Sequence, residues 1–309
     1  MDSPASPLVL TKLRVPAARP RLVSRVRLLD RLADESSSGL ILVCAPAGYG
    51  KTTLLAEWSR LLQQSGTAVA WYALDAGDAD PIVFSTYLVA SFIEALGPLP
   101  ELVQAVQRLR AAPESDPQRV LPALINSLLS SERACALILD DYHLVSSPVI
   151  HNALAYLHEH RPGNLRIAIG SRADPPLSLA RLRAGGELLE IRTAGLRFNG
   201  EEAGQFLNEV MRLELSPAGV AALEARTEGW AAGLQLAALS LTGRPDKETL
   251  IASFSGSHRY LVEYLLEEVV GRQPPAVQTF LLATAVLERL CAPLCDAMLG
   301  QGSGSQAIL

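Results

Sequence analysis

The sequence predicts an α/β fold, with a parallel five-stranded sheet interleaved with helices up to about residue 195 and an all-helical half after it. Three observations predict it. Short apolar runs recur at 40–44, 68–74, 136–140, 166–170 and 188–191, each bounded by polar or turn residues. Between them stand longer stretches whose apolar residues return at helical spacing. Beyond residue 195 the short runs cease and only the helical spacing continues.

Taken in order, residues 1–20 read as an extended arm. Lys12, Arg14, Arg19, Arg21, Arg25 and Arg27 arrive with no acid between Asp2 and Asp30, as in an organellar transit peptide. Pro4, Pro7, Pro16 and Pro20 forbid the continuous helix such a peptide uses, so the arm is expected to be solvated or nucleotide-facing and the protein cytoplasmic. Val26, Leu28, Leu29 and Leu32 give 25–35 the apolar side of a short helix, which the Ser36-Ser37-Ser38-Gly39 turn ends. Leu40-Ile41-Leu42-Val43-Cys44 is apolar throughout, as suits a strand covered on both faces. Leu54, Leu55, Trp58, Leu61 and Leu62 carry the next helix to Gln64.

Asp80-Pro81 pairs an N-cap with proline at the first helical position and opens a helix to about Leu96. Pro98, Pro100, Pro113 and Pro117 break 97–117 into connections around one short helix. Helices are expected near 118–130 and 148–160. In the second half Asn199 opens a helix with Glu202 as its capping-box partner, and Ser216-Pro217 opens another. Leu234 to Leu241, 258–270 and 275–287 complete the helical list.

Composition excludes several classes. Hydrophobic residues at 49% and charged residues at 19% supply a core, which rules out wholesale disorder. No apolar run is long enough for a membrane span. Lys and Arg number 27 against 32 Asp and Glu, a net charge of −5, which argues against a uniformly basic nucleic-acid binder. Cys44, Cys135, Cys291 and Cys295 are too few for a disulfide framework, and the first two lie in strand-like runs as buried thiols.

One segment carries chemistry. Ala45-Pro46-Ala47-Gly48-Tyr49-Gly50-Lys51-Thr52 matches the phosphate-loop pattern G-x-x-x-x-G-K-[ST], with Ala45 in place of the first glycine, and Thr53 follows. It stands between a buried strand and an amphipathic helix, the context the motif requires. Gly48 and Gly50 permit the tight turn that aims successive N–H groups at phosphate oxygens. Lys51 reaches the β- and γ-phosphates, and the Thr52 hydroxyl can ligate Mg²⁺. Asp140 and Asp141 end the third strand; Asp140 is the candidate magnesium carboxylate, and Asp141 the candidate general base for an attacking water. Arg172, after the fourth strand, is placed to read a γ-phosphate. Phosphate loop, carboxylates and arginine together mark a nucleotide site, for which the resemblance below implies ATP or ADP.

Other patterns do not reach a site. Asp75, Asp78 and Asp80 lack the twelfth-position glutamate of a calcium loop, since that position is Thr86. His151, His158 and His160 are expected as ordinary surface histidines. Cys291 and Cys295 have no second ligand pair.

With these residues in place, the chain resembles the MalT-type, LuxR-family ATP-dependent transcriptional regulators of the STAND class of signal-transduction ATPases. The resemblance rests on Lys12-Leu13 with Arg19-Pro20, on 45–53, and on Trp71-Tyr72 with Leu74-Asp75. It continues through Asp140-Asp141-Tyr142-His143-Leu144, Ser171-Arg172 and Gly229-Trp230-Ala231-Ala232-Gly233-Leu234-Gln235-Leu236. It implies a nucleotide-binding domain at 21–195, a helical domain at 196–250 and the start of a winged-helix-like domain at 251–309, inside which the chain stops, as a fragment would. It also implies a switch that ADP holds closed and that ATP, with an inducer, opens to self-association. In the family the inducer binds a superhelical region and DNA binds a terminal helix-turn-helix, neither of which lies within these residues. Related proteins contact the base through a Gly-x-Pro element, and Ala231 stands at the matching position. The residues alone leave open a second reading, a turnover P-loop ATPase or kinase unconnected with transcription.

Overall fold

The computed structural model describes residues 8–17, 21–33, 39–111, 117–253, 259–287, 289–300 and 304–308. Two compact units divide the chain, Met1–Gln235 and Leu236–Leu309. In the first, five parallel strands form one sheet: β1 (Leu40–Cys44), β2 (Ala68–Ala73), β3 (Cys135–Asp140), β4 (Leu165–Ser171) and β5 (Leu188–Arg192), in the order β2-β3-β4-β1-β5. Helices cover both faces: α1 (Val26–Ala33), α2 (Lys51–Gln64), α3 (Pro81–Leu96), α4 (Pro100–Ala111), α5 (Leu121–Ser131), α6 (Pro148–Glu159) and α7 (Leu179–Ala184).

Strand alternation divides the core in two. Leu40, Leu42, Tyr72, Leu137, Leu139, Ile167 and Ile169 face one way, against Phe84, Leu88 and Phe92 of α3 and Leu154 and Leu157 of α6. Ile41, Val43, Trp71, Ile138, Ala168 and Ile191 face the other, against Leu28 and Leu32 of α1 and Leu54, Leu55 and Trp58 of α2. Because both faces are buried, β1 and β3 tolerate no polar residue before their ends, which explains their continuous apolar sequences. The predicted caps form: the Asp80 carboxylate accepts from the N–H groups of Ile82 and Val83, and Asn199 and Glu202 make a reciprocal capping box.

After β5 come α8 (Thr193–Leu196), α9 (Gly200–Gly204), a π-helical turn (Gln205–Val210), α10 (Pro217–Thr227) and α11 (Ala231–Leu241), within which the first unit ends. In the second unit follow α12 (Lys247–Ser253), α13 (Arg259–Glu268), α14 (Pro275–Thr284), α15 (Ala292–Leu299) and α16 (Ser305–Ile308), with Phe280 and Cys295 buried. No helix among the described residues is long and apolar enough to cross a membrane.

Three expectations need correction. The arm is not extended where it is described: Leu10–Leu13 forms a 3₁₀ turn, Leu13 is buried, and the Lys12 ammonium bonds Asp78 at 2.6 Å above the Tyr87 ring. Nor is the whole basic run solvated: Arg27 is exposed, but Arg25 is not. Arg25 is buried over the Phe198 ring, and both guanidinium groups meet the Glu202 carboxylate, at 3.1 and 2.9 Å. His151 and His158 are buried, because positions seven apart share one helical face and that face of α6 lies on the sheet. The Ser36–Ser38 turn, residues 1–7, Arg19 and Pro20 lie outside the described residues.

Candidate nucleotide site

Strand register brings the predicted residues to one edge. Cys44, the last residue of β1, pairs with Ser171 of β4 and Arg192 of β5, while Ala73 pairs with Asp140. The loop 45–50, the Asp140-Asp141 pair and Arg172 therefore leave the sheet at its carboxyl end together, where ligands of open α/β sheets gather. Gly48 and Gly50 have φ of 78° and 81°, a left-handed backbone that favours glycine, so both meet the loop requirement read from the sequence.

Lys51 is buried, and its ammonium donates to the carbonyl oxygens of Ala45 at 2.7 Å and Pro46 at 2.9 Å. An ammonium has three N–H donors, so the loop base takes two and a third is left for a phosphate oxygen. Burial lowers the Lys51 pKa; Asp141 and Asp140 oppose that shift and Arg172 reinforces it, so all four groups lie within one electrostatic neighbourhood.

Asp140 is 3% exposed, and its Oδ1 has no hydrogen-bond partner among the described residues. Burial, with the neighbouring Asp141 charge, pushes its pKa up to about 6 against a hydrogen bond from Thr52. Gly170 of β4 makes room for this carboxylate: a Cβ there would stand 2.5 Å from Asp140 Oδ1. Asp141 takes the left-handed conformation, φ 57°, unusual for a residue with a side chain. Its carboxylate is half-exposed and lies 3.8 Å from His143 Nδ1. The turn after it is anchored from behind, with Tyr142 buried and its hydroxyl 2.8 Å from His151 Nδ1.

Two contacts on the loop are not legible from the phosphate-loop pattern. Trp230 Nε1 donates to the Ala47 carbonyl oxygen and the Ala232 N–H to that of Gly48, both at 3.0 Å. The sequence signal for them was the pair of glycines around the tryptophan. A Cβ at Gly229 (φ 67°) would stand 2.3 Å from the Phe198 carbonyl oxygen, and one at Gly233 2.7 Å from the Trp230 ring. No cluster of three or more His, Cys, Asp or Glu side chains suited to a metal ion occurs among the described residues.

A five-stranded parallel sheet with this loop between β1 and α2 defines a P-loop NTPase, a nucleotide-binding module. Residues 33–171 match the AAA domain family, and residues 266–309 match the MalT winged helix domain. In both segments the chain is similar to the MalT-type P-loop regulators. It is 36% identical over 302 residues to the serine/threonine-protein kinase PknK of Mycobacterium tuberculosis, covering 97% of this chain and 27% of that protein. It is 34% identical over 307 residues to the HTH-type transcriptional regulator MalT of Cronobacter sakazakii, covering 97% of this chain and 33% of that protein. The chain thus spans about a third or less of the length of these curated relatives. Among solved structures, the Aeropyrum pernix Orc1 protein in complex with DNA aligns with 92% of this chain and 79% of that one, at TM-score 0.49 and 14% identity.

Proposed function

We propose that the chain is the ATP/ADP-binding switch module of a LuxR/MalT-type transcriptional activator, in which slow ATP hydrolysis controls self-association. The observation that carries this reading is the seating of Lys51 on the loop carbonyls beside a buried Asp140 oxygen without a partner. An unpaired buried carboxylate is costly, and a divalent cation is the natural compensation. Thr52 and Asp140 would hold Mg²⁺, which when bound supplies charge neutralisation at the β- and γ-phosphates. Pro46, Ala47, Gly48, Tyr49, Gly50, Lys51, Thr52 and Thr53 form the phosphate cradle. Asp141 orients and deprotonates water, and Arg172 reads the γ-phosphate. Only a contact made with ATP and not ADP can shift a conformational equilibrium between the two, and Arg172 supplies it.

Support for a control module comes from the relatives. In each case 97% of this chain aligns, once with a protein named a kinase and once with one named a transcriptional regulator, and it is a minor part of each. An inducer and DNA would be bound by regions beyond these residues, in the cytoplasm. The second reading, a turnover ATPase or kinase outside transcription, draws on the PknK match. Lys51→Ala is expected to abolish ATP and ADP binding measured by calorimetry, since it removes the loop ammonium; wild-type affinity in that variant removes the reading. Asp141→Asn is expected to bind ATP yet hydrolyse it at least tenfold more slowly. Rapid multiple turnover stimulated by an acceptor or by nucleic acid would favour the second reading over the switch.

A further inference from the structure

The phosphate loop has two sets of backbone groups, and four successive carbonyls are occupied. Lys51 holds those of Ala45 and Pro46. The segment before and within the first turn of α11 holds those of Ala47 and Gly48, through Trp230 Nε1 and the Ala232 N–H. A trans peptide is planar, with its C=O and N–H pointing in opposite directions. Fixing the Ala47 carbonyl toward Trp230 therefore aims the Gly48 N–H away from it. Fixing the Gly48 carbonyl toward Ala232 does the same for the Tyr49 N–H. In a phosphate loop these central N–H groups are the donors a phosphate needs.

The clamping segment is itself braced. The Phe198 N–H donates to the Gly229 carbonyl at 2.8 Å, and the Trp230 N–H to that of Thr227 at 2.9 Å. Gly229 and Gly233 have no space for a side chain, and the Tyr49 and Trp230 ring centroids lie 6.3 Å apart. We propose that Trp230 and Ala232 are positioning residues that clamp the outer side of the phosphate loop and pre-orient the Gly48 and Tyr49 N–H groups for phosphate. Nucleotide binding and the seating of 229–233 then strengthen each other, because a coupling between two events is reciprocal. The ligand class is a nucleoside di- or triphosphate, so the inference rests on the nucleotide-site reading above. It adds a sensor to that reading: the helical segment detects phosphate through the loop's own backbone.

Two variants test it. Trp230→Phe keeps an aromatic ring and loses the N–H. Ala232→Pro removes the second donor at a first-turn position where α5 and α15 already carry Pro122 and Pro293. Calorimetric ADP affinity in the whole chain is expected to fall about three- to tenfold in each, the usual worth of one neutral hydrogen bond. ADP is also expected to change the tryptophan emission of the wild type, and Trp230→Phe to abolish that change while buried Trp58 and Trp71 remain. Wild-type ADP affinity in either variant, with the fold verified by circular dichroism, overturns the clamp. Lys51→Ala separates the two ideas: if it binds ADP as the wild type does, the nucleotide site falls and the clamp with it. If it does not bind while both clamp variants bind normally, only the clamp falls.

Discussion

Asp140 has one oxygen with no partner, and it titrates near pH 6 because its charged form is poorly solvated. The ordinary carboxylate value is 3.8, so between about pH 4 and 6 the folded protein holds a proton that the unfolded chain has released. Stability then falls as pH rises through that window and stays lowered above it. In metal-free, nucleotide-free protein, Asp140→Asn should gain about 1–3 kcal/mol at pH 8, an order-of-magnitude figure from a shift of about two pKa units. The gain should vanish near pH 4. Urea melts at the two pH values measure it, and an Asn variant less stable at pH 8 would contradict this account of the site. A residue that destabilises the resting protein and sits beside Lys51 is a mark of functional placement.

At the scale of elements, α6 shows how a helix was legible while one of its faces was not. Ser147-Pro148 and the apolar spacing located it, and Pro148–Glu159 agrees with the expected 148–160 to within a residue. Residue type alone sends histidines to water, but His151 and His158 are buried. Ile150, Ala153, Leu154 and Leu157 already define the buried face, and His151 and His158 flank it. Burial lowers the pKa of both histidines, so folding favours the neutral form of each. The unfolded chain takes up those protons below about pH 6.5, so stability should fall as pH drops through that value. His151→Asn, which keeps an acceptor for Tyr142 and cannot titrate, should flatten the slope of thermal stability between pH 7 and 5; an unchanged slope would leave His151 without a part in it. The same limit applies to other short elements. The 3₁₀ turn at Leu10–Leu13, the π-helical turn and α7 are held by tertiary contacts, which no local spacing encodes. That the loop, Asp140, Asp141 and Arg172 share one sheet edge was legible because each lies at a strand end. Trp230 was not, since its partner is 183 residues away.

Across the first unit, Glu202 links the start of the chain to the segment beyond the sheet. Its carboxylate meets Arg25 and Arg27 and caps α9 through the Asn199 N–H, while Arg25 also stacks on the Phe198 ring. Removing one partner of a buried ionic cluster leaves the other charge uncompensated, at a cost of about 3–5 kcal/mol. Glu202→Ala should therefore lower the urea midpoint strongly and release Arg25, whereas Glu202→Gln, which keeps a cap acceptor, should lose less. A Glu202→Gln variant as stable as the wild type would place the effect in the cap alone.

The order of the sheet also bears on how the protein is made. β1 is synthesised first of the five strands, but its hydrogen-bonding neighbours are β4 and β5, the last two. At a translation rate of about 5–20 residues per second, the phosphate loop leaves the ribosome many seconds before either neighbour exists. During that interval a chain carrying Leu40-Ile41-Leu42-Val43-Cys44 has an unpaired apolar strand, and its loop has no frame. Nascent chains stalled before Leu188 should fail to retain nucleotide. Those stalled with β5 and the Gly229–Gly233 segment outside the tunnel should capture it, so nucleotide occupancy would report that synthesis of the first unit is complete.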